Sequence, residues 1–317
     1  MTVHKCPGCE LRFAFRGDLE DHIRRDHTAP MPRPAAMPVE APAEVRVLVP
    51  LDPAHAPKRA VDVAVGLAGP DTVVELVSVT PPGLPQPVVD AFLAGERDRR
   101  PGVRMEVVRL DAPVIVLALL EHIVETAPDL VVLDSHARGP LGELVLGSVS
   151  ADLVRSSHSP TMLAGPACKA GTKLARFVVA VDGSPDSLEA LDVASRLSKR
   201  LRVPLELVEV VEEMPYTSDI AESAELHRLA ESVEPPVRRW DVLHGHDVAR
   251  SLNDHVKGDR GAVLVLGTHG RSAGRPNPLG GVAARTVRHA PVPVLVVSPE
   301  AASTDAPRKL VGRRSPR

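Results

Sequence analysis

The sequence predicts an α/β fold: two Rossmann-like, parallel-sheet domains in tandem, preceded by a small ββα module. Short apolar strands alternate with helical segments between residues 44 and 298, which is typical of βαβ units whose sheet is covered on both faces. The segment from Pro128 to Gly165 aligns without a gap with the segment that ends at Ser298, and this repeat indicates a duplicated domain. A pattern of Cys and His near the start of the chain predicts the small module.

The small module is predicted at residues 1–28 on the basis of a C-x2-C-x12-H-x4-H spacing, formed by Cys6, Cys9, His22 and His27. Two thiolates and two imidazoles at this spacing favour a tetrahedral zinc site. The segment resembles the C2H2 zinc finger family, and Phe13 and Leu19 lie where that family keeps its small core. Because so short a segment buries too little surface to fold alone, bound zinc would supply most of the folding free energy.

The resemblance does not extend to the residues that read DNA. The base-reading positions of the finger family fall on Phe15, Asp18 and Asp21, so two carboxylates would face a polyanion. Residues 4–27 hold five basic and five acidic residues, and little affinity would come from counterion release. The module is therefore expected to contact protein or to serve as a structural unit, with DNA binding as the less favoured alternative.

Composition and charge narrow the class of protein. The chain has 317 residues, a formal net charge of −3, 44% hydrophobic residues and 2% aromatic residues, as expected for two or three globular domains without a general affinity for nucleic acid. Its apolar runs fall short of the roughly 20 residues of a membrane span, and no leader peptide is expected. Cys168 is the third cysteine and is not one of the predicted zinc ligands, so it has no cysteine partner for a disulfide. A free cysteine fits a reducing compartment. We expect a cytoplasmic protein.

The two predicted α/β domains cover residues 44–168 and 169–298, after a proline-rich linker at 29–43 and before a basic tail at 299–317 that is expected to be disordered. In the first domain, strands are predicted at 45–49, 73–79, 103–110, 130–133 and 161–164, with helices at 58–68, 88–97, 114–126 and 144–156. In the second domain, strands are predicted at 177–181, 205–211, 237–243, 263–266 and 292–297, with helices at 185–201, 220–233, 247–256 and 282–290.

A glycine-rich loop joins strand 263–266 to the helix that follows it. Gly267, Gly270, Gly280 and Gly281 have the spacing G-x2-G-x9-G-G. Bare backbone there lets a ligand approach, and free N–H groups at the start of the new helix attract an anion such as phosphate. Residues 44–298 resemble tandem domains of the universal stress protein family, whose ATP loop reads G-x2-G-x9-G followed by Ser or Thr. Gly281 replaces that hydroxyl, which predicts roughly ten- to hundredfold weaker binding.

The resemblance implies the rest of the cofactor-binding set. Asp182 lies where the family has an acidic contact to the nucleoside, and Val210 lies where strand backbone meets the adenine edge. His269 occupies a loop position at which the family often has a histidine, and Val282 follows the last glycine. The implied cofactor is ATP or another adenine nucleotide.

The equivalent loop of the first domain has lost part of this pattern. Gly147 and Ser148 keep its end, but Asp134 and Ala137 replace the two leading glycines. A carboxylate about 4 Å from a phosphate would cost about 4 kcal/mol at an effective dielectric constant of 20; alternatively, Asp134 points away or is neutralised by Arg138. The prediction is one working nucleotide site, in the second domain, and the alternative is that both domains are packing modules.

The predicted function is that of a stress-response protein that binds an adenine nucleotide as a sensor or regulator. No second carboxylate accompanies Asp182 for Mg²⁺, so slow, incidental ATP hydrolysis is the most that is expected. His244, His246 and Asp247 favour a strand end and a helix cap over a metal site. The resemblance implies that the two domains pair through their last strands as an intrachain pseudo-dimer, and a homodimer is a further expectation. The alternative function is a zinc-finger regulator or adaptor that contacts protein or DNA and keeps a vestigial nucleotide loop.

Overall fold

A computed structural model describes the α/β part of the chain and a short hairpin near its start. The described residues are 4–5, 12–13, 44–55, 59–80, 85–137, 144–169, 173–211, 219–268 and 279–302. The chain divides into two compact units, residues 1–42 and 43–317. Within the described ranges, none of the helices combines the length and the hydropathy that a membrane crossing requires.

In the first unit, strand β1 (His4–Lys5) pairs with strand β2 (Arg12–Phe13) as an antiparallel hairpin in which His4 lies opposite Phe13. The hairpin lies within residues 1–28, where the ββα module is predicted, and the module itself stays a prediction. The four predicted zinc ligands, Cys6, Cys9, His22 and His27, lie outside the described residues, so the metal site stays a prediction.

The second unit contains two repeats of alternating strands and helices. The strands of the first repeat are β3 (Val45–Pro50), β4 (Thr72–Thr80), β5 (Met105–Asp111), β6 (Leu130–Asp134), β7 (His136–Ala137), β8 (Leu144–Val145) and β9 (Thr161–Ala164). Its helices are α1 (Arg59–Leu67), α2 (Gln86–Asp98), α3 (Ile115–Thr126) and α4 (Ser148–Ser156).

The second repeat follows the same order. Its strands are β10 (Arg176–Ala180), β11 (Leu205–Val211), β12 (Arg239–His244), β13 (Ala262–Gly267) and β14 (Val294–Val297). Its helices are α5 (Pro185–Leu201), α6 (Asp219–Ser232), α7 (Val248–His255), α8 (Gly281–His289) and α9 (Pro299–Ala302). The predicted order of strands and helices is confirmed in both repeats, with two local corrections.

The first correction concerns the predicted helix at 144–156. Leu144 and Val145 form strand β8, which pairs with β7, and the helix begins only at Ser148. Gly147 precedes the helix with φ −55° and ψ 156°, and this extended backbone stops the helix from continuing toward residue 144.

The second correction concerns the start of the predicted tail. Residues 299–302 form the short helix α9, in which Ala301 is buried. The Ser298 side chain accepts a hydrogen bond from the Ala301 N–H at 3.2 Å, and Pro299 stands at the first helical position, where its missing N–H costs nothing. The remaining predicted tail, 303–317, lies outside the described residues.

One ten-stranded sheet runs through both repeats in the order β12-β11-β10-β13-β14-β9-β6-β3-β4-β5. All neighbouring strands are parallel except β14 and β9, which pair antiparallel with Leu295 opposite Met162. The last strands of the two repeats therefore meet, as predicted. Because the junction is antiparallel, a pseudo-twofold axis perpendicular to the sheet relates the repeats, and the same face of the sheet continues from one repeat into the other.

Helices cover both faces of this sheet. Alternate residues of each strand point to opposite faces, so Phe177 and Val179 join one core layer while Val178 joins the other. The first layer contains buried side chains of α1, α2, α5 and α6, and the second contains buried side chains of α3, α4, α7 and α8. Each layer thus extends across both repeats.

A cluster of buried charged side chains lies at the amino end of the sheet in each repeat. In the first repeat, Glu75 accepts hydrogen bonds from Arg46 (2.9 Å) and is bonded to His122. In the second repeat, Glu206 pairs with Arg176 (2.9 Å) and His255 (2.7 Å). Burial alone would raise the pKa of each carboxyl group, but the histidine hydrogen bond and the arginine charge outweigh it and lower both pKa values.

Candidate functional site

The candidate site lies at the carboxyl end of the sheet in the second repeat, between β10 and β13. These two strands are neighbours, but the chain leaves them in opposite directions. After β10 it enters α5 in the first helix layer, and after β13 it enters α8 in the second layer. Divergent connections leave a crevice at the strand ends, and this switch point is the usual ligand position of an open α/β sheet.

Asp182 lies at the mouth of this crevice, directly after β10. Its carboxylate accepts hydrogen bonds from the backbone N–H and the side-chain hydroxyl of Ser184, at 3.0 Å and 2.5 Å. Ser184 is in turn the N-cap of α5 and accepts from the Ser187 N–H at 3.3 Å. Gly183 between them has φ +74°, a conformation that favours glycine. The local turn therefore fixes the direction of the Asp182 carboxylate.

Helix α8 begins on the other side of the crevice without a side-chain cap. Its N-cap residue, Gly280, has extended backbone (φ −63°, ψ 164°), and the first turn contains no acidic residue. The Gly280 N–H donates to the Thr268 carbonyl at 2.7 Å, which holds together the two ends of the loop that contains His269 and Gly270. The first N–H groups of α8 have no partner within the helix and carry the positive end of the helix dipole, so this position suits an anion.

Gly281 stands in open space at the first position of α8. A Cβ atom added there would meet no heavy atom within 4 Å. A serine would therefore fit without strain, and the absence of a hydroxyl at this position is a loss of a hydrogen bond rather than a packing requirement.

Gly267 packs closely against the start of helix α5. Its backbone is not in the left-handed region, and an added Cβ would lie 2.9 Å from the carbonyl oxygen of Asp186 in the first turn of α5. Glycine is needed because helix α5 packs against the end of β13. This packing accounts for the glycine, and a contact between Gly267 and a ligand stays a prediction.

The remaining predicted residues flank the crevice or lie outside the described residues. Val210 is partly buried near the end of β11, opposite Leu243, and Val282 is exposed on the first turn of α8. The described residues of the predicted set therefore lie on the elements around the carboxyl ends of β10, β11 and β13. They are Asp182, Val210, Gly267, Gly280, Gly281 and Val282. His269 and Gly270 lie outside the described residues.

The first repeat differs at the matching strand end. Asp134 turns toward helix α1, where its carboxylate accepts from Arg59 Nε at 3.3 Å and from the Ala60 N–H at 3.2 Å. Arg59 also donates to the Pro166 carbonyl at 3.0 Å. The Asp134 carboxylate thus faces the start of α1, with Arg59 as its cation. Residues 138–143 of the loop, including the predicted partner Arg138, lie outside the described residues, so the two predicted ways to avoid phosphate repulsion stay predictions.

Sequence reasoning missed Asp52, the counterpart of Asp182 in the first repeat. Asp52 follows β3 as Asp182 follows β10, and its carboxylate accepts from the Ala54 N–H at 2.8 Å. The signal was present in the repeat itself, because the two strands and the Asp after each of them align. Ser184 was missed for another reason: only the tertiary structure shows that it holds Asp182.

The segment from His244 to Asp247 has the structural role predicted for it. His244 ends β12, and Asp247 is the N-cap of α7, with its carboxylate 3.2 Å from the Arg250 N–H. Among the residues that the structure describes, no group of three or more His, Cys, Asp or Glu side chains is arranged to hold a metal ion.

Comparison with known proteins identifies the family to which the chain belongs. The family model described as "Universal stress protein family" matches residues 45–164 and 174–298, and these two matches cover most of the chain. The protein belongs to the universal stress protein family and contains two such domains in tandem.

Similar proteins include relatives in sequence and solved structures with a similar fold. The chain is 33% identical over 213 residues to universal stress protein Rv2005c of Mycobacterium tuberculosis and to Mb2028c of Mycobacterium bovis, over 63% of this chain and 70% of each relative. A universal stress protein from Archaeoglobus fulgidus has a similar fold, with a TM-score of 0.52, 16% identity, and coverage of 80% of this chain and 98% of that one. Protein PA1789 of Pseudomonas aeruginosa has a TM-score of 0.54 at 18% identity, with 82% and 94% covered.

Proposed function

We propose that the protein binds ATP or another adenine nucleotide in its second α/β domain and acts as a sensor or regulator. The observation that carries the proposal is the uncapped start of α8 at Gly280, on the opposite side of the switch-point crevice from Asp182, whose direction Ser184 fixes. A helix start attracts phosphate oxygens, whereas a carboxylate accepts hydrogen bonds from the hydroxyl groups of a ribose.

The assigned roles follow from position. Gly280, Gly281 and Val282 would present backbone N–H groups to the phosphates, and Asp182 would contact the ribose. Backbone near Val210 would meet the adenine edge. Gly270 and His269 belong to the same loop by sequence, and we assign them to its phosphate side.

A regulatory role is favoured over catalysis. In the proposed site, Asp182 is engaged by Ser184 and serves as a contact to the ribose rather than as a general base. Slow, incidental hydrolysis of ATP is the most that this arrangement supports. Binding and release would then report the nucleotide level of the cytoplasm, where we place the protein.

The test is calorimetric titration of the full chain with ATP, using a matched pair of variants. Gly281→Asp puts a carboxylate at the start of α8 in open space and should weaken ATP binding at least a hundredfold, since about 4 kcal/mol of repulsion is expected at 4 Å. Ser148→Asp makes the equivalent change in the first domain and should leave the affinity unchanged. Equal losses in both variants, or loss only with Ser148→Asp, would contradict the assignment to the second domain.

We also propose that residues 1–28 form a zinc finger with Cys6, Cys9, His22 and His27 as ligands. The support is the β1–β2 hairpin, because the chain between its strands contains Cys6 and Cys9, and the donor set of two thiolates and two imidazoles suits zinc. Elemental analysis of the purified chain should find one zinc per chain, and Cys9→Ser should lower it. A normal zinc content in that variant would exclude this ligand set.

The zinc module supports a second candidate function, a regulator or adaptor that contacts protein or, less favoured, DNA. A salt-dependent shift of a DNA probe that is lost on adding a chelator would favour this function. Under this alternative, ATP would not bind, so calorimetry separates the two proposals.

A further inference from the structure

A groove of about 460 Å³, the α7–α8 groove, lies between helices α7 and α8 of the second repeat. Each of these helices follows one parallel strand and leads into the next, so both run from the carboxyl end toward the amino end of the sheet. Near the carboxyl end, Arg285 of α8 pairs with Asp247 of α7 at 3.3 Å. Within the described part of the chain, the lining contains none of the residues assigned to the nucleotide, and the volume lies in the range of small-ligand sites.

Charge is balanced along the first part of the α7–α8 groove and positive along the second. Arg250 pairs with Asp254 on the same helix at 3.6 Å. Lys257 and His289, at the amino end, line the groove and have no ion pair among the described residues. An anion at this end would therefore meet a lysine cation and an imidazole nitrogen that can donate a hydrogen bond.

The first repeat shows that the fold does not need polar groups at these positions. His122 and His255 bind equivalent glutamates, and Gly147 and Gly280 precede equivalent helices, which aligns α3 with α7 and α4 with α8. In this alignment, the first repeat has Leu117, Leu120, Val124, Leu153 and Ser156 where the second has Arg250, Asn253, Lys257, Thr286 and His289. Four apolar positions around one groove have thus become polar in the second repeat.

Two of these polar residues are buried and incompletely hydrogen-bonded. Asn253 is 9% exposed and Thr286 is 0% exposed, at the positions where the first repeat packs Leu120 and Leu153 into its core. Asn253 Nδ2 donates to the Thr286 carbonyl at 3.4 Å, but Asn253 Oδ1 and Thr286 Oγ1 have no partner within the described ranges. Such groups lower stability, whereas leucine at the same positions would not. Their presence therefore indicates a role other than packing.

Asn253 is placed to contact a ligand, because it lines the α7–α8 groove. Its hydrogen bond to the Thr286 carbonyl is long, at 3.4 Å, and the last side-chain torsion of asparagine has a broad energy minimum. The amide can therefore turn toward the groove at little cost. A hydroxyl group there would donate to Oδ1 and supply the missing hydrogen bond.

We propose that the α7–α8 groove is a second ligand site, which takes a small organic anion that carries a hydroxyl group. The negative group lies at the amino end, between Lys257 and His289, and the hydroxyl group donates to the Asn253 amide oxygen. Arg250 and Arg285 keep their carboxylate partners, so the groove accommodates one charged group of the ligand, a phosphate ester or a carboxylate.

The first experiment is calorimetric titration of the full chain with glucose 6-phosphate and with malate, a phosphate ester and a carboxylate that both carry hydroxyl groups. At least one should bind with a dissociation constant of about 1 mM or below, and the one that binds identifies the anion. Gly281→Asp, which blocks the nucleotide crevice, should leave this affinity unchanged. No binding of either compound, or binding that is lost with Gly281→Asp, would overturn the proposal. Inorganic phosphate that binds as tightly as either compound would contradict the hydroxyl contact.

The second experiment gives the groove the character that it has in the first repeat. Lys257→Val should weaken binding of the compound at least tenfold, because it removes the cation at the amino end. Lys199→Val, at an exposed lysine on α5 in the opposite helix layer, is the matched control and should leave the affinity unchanged. Equal effects of the two variants would show that the anion does not bind at Lys257.

The third experiment removes the incompletely bonded groups without changing their shape. The double variant Asn253→Leu and Thr286→Val should bind the compound at least tenfold more weakly. It should also unfold at a higher temperature than the wild type, since buried polar atoms without partners are gone. A double variant that binds like the wild type, or that unfolds at a lower temperature, would show that the pair serves packing alone.

Discussion

The two repeats differ most at the ends of their central strands, β6 and β13. Asp134 ends β6 and bonds to the start of α1, whereas Gly267 ends β13 and makes room for the first turn of α5. Helix α5 begins three residues after Asp182, but α1 begins seven residues after Asp52. In the first repeat, the Asp134 carboxylate thus bonds to a backbone N–H near the start of α1, whereas in the second repeat the backbone of α5 itself packs against the strand end.

This difference shows that the ends of equivalent strands in a duplicated fold can be stabilised in two ways. In the first repeat, an ion pair between Asp134 and Arg59 fills the region beside the strand end. In the second repeat, packed backbone fills it, and Asp182 and the start of α8 remain at the crevice. The loss of the first glycine of the pattern in the first repeat therefore accompanies a different contact at the strand end.

The largest effect is expected when the second repeat is given the first repeat's residue. Gly267→Asp would place a carboxylate against the Asp186 backbone, and Glu189 stands where the first repeat has Arg59, so the new charge lacks the counterpart of the cation that Asp134 has. We expect a loss of about 3–5 kcal/mol in the free energy of unfolding, measured by urea denaturation. Gly102→Asp, at a position with open space around it, is the control and should lose little. Equal stability of the two variants would contradict the packing argument.

The converse change, removal of the carboxylate from the first repeat, should cause a smaller loss of stability. Asp134→Ala removes the carboxylate that pairs with Arg59 and caps α1, and a loss of about 1–3 kcal/mol is expected because Arg59 is partly exposed and can find water. Urea denaturation measures the loss. When Arg59→Ala is introduced into the Asp134→Ala variant, it should lower the free energy of unfolding by less than it does in the wild type. If the losses of the two single variants simply add up in the double variant, the two side chains are not coupled.

A gain of affinity is expected in the second repeat from Gly281→Ser. The added hydroxyl fits in open space at the start of α8 and should strengthen ATP binding about ten- to hundredfold through a hydrogen bond to a charged oxygen. Calorimetric titration measures this change, with Ser148→Gly in the first repeat as the matched control that should have no effect. Unchanged affinity with Gly281→Ser would mean that phosphate does not approach this helix start.

The buried charge clusters around Glu75 and Glu206, one in each repeat, should respond alike to a change of pH. Because the folded-state pKa values of Glu75 and Glu206 lie below the ordinary value of 4.5, their contribution to stability is full above that pH and is lost as the pH falls through the lowered values. His122→Gln and His255→Gln should each cost about 1–2 kcal/mol at neutral pH and flatten the dependence of unfolding free energy on pH between about 3 and 5. An unchanged pH profile in both variants would show that the histidines do not support these carboxylates.

The smallest effect concerns Cys168, which lies near Arg59 and Asp134. Burial raises the pKa of its thiol to about 12, so iodoacetamide should label Cys168 only when the structure opens. Peptide mass spectrometry distinguishes this cysteine from Cys6 and Cys9. Asp134→Ala should speed its labelling modestly; labelling of the native wild type as fast as a free thiol would contradict the buried position.

Much of the fold could be predicted because its signals are local. The strand from Val45 and the helix from Pro185 follow from apolar periodicity and a proline at the helix start. The meeting of β9 and β14 came from resemblance to a family and is confirmed by their antiparallel pairing. The break in the helix before Ser148 was missed, since it depends on the extended backbone of Gly147.

Local sequence patterns were enough to predict the duplicated α/β fold, the order of its strands and helices, and the glycine pattern that makes the second repeat the nucleotide candidate. Three features became visible only in the folded chain: Asp134 faces Arg59, 75 residues away, Gly267 packs against the backbone of Asp186, and α3 and α7 share one face of the sheet. The physical reason is that periodicity is set by neighbours along the chain, whereas the direction of a buried charge or the need for a glycine is set by whichever distant backbone packs against it.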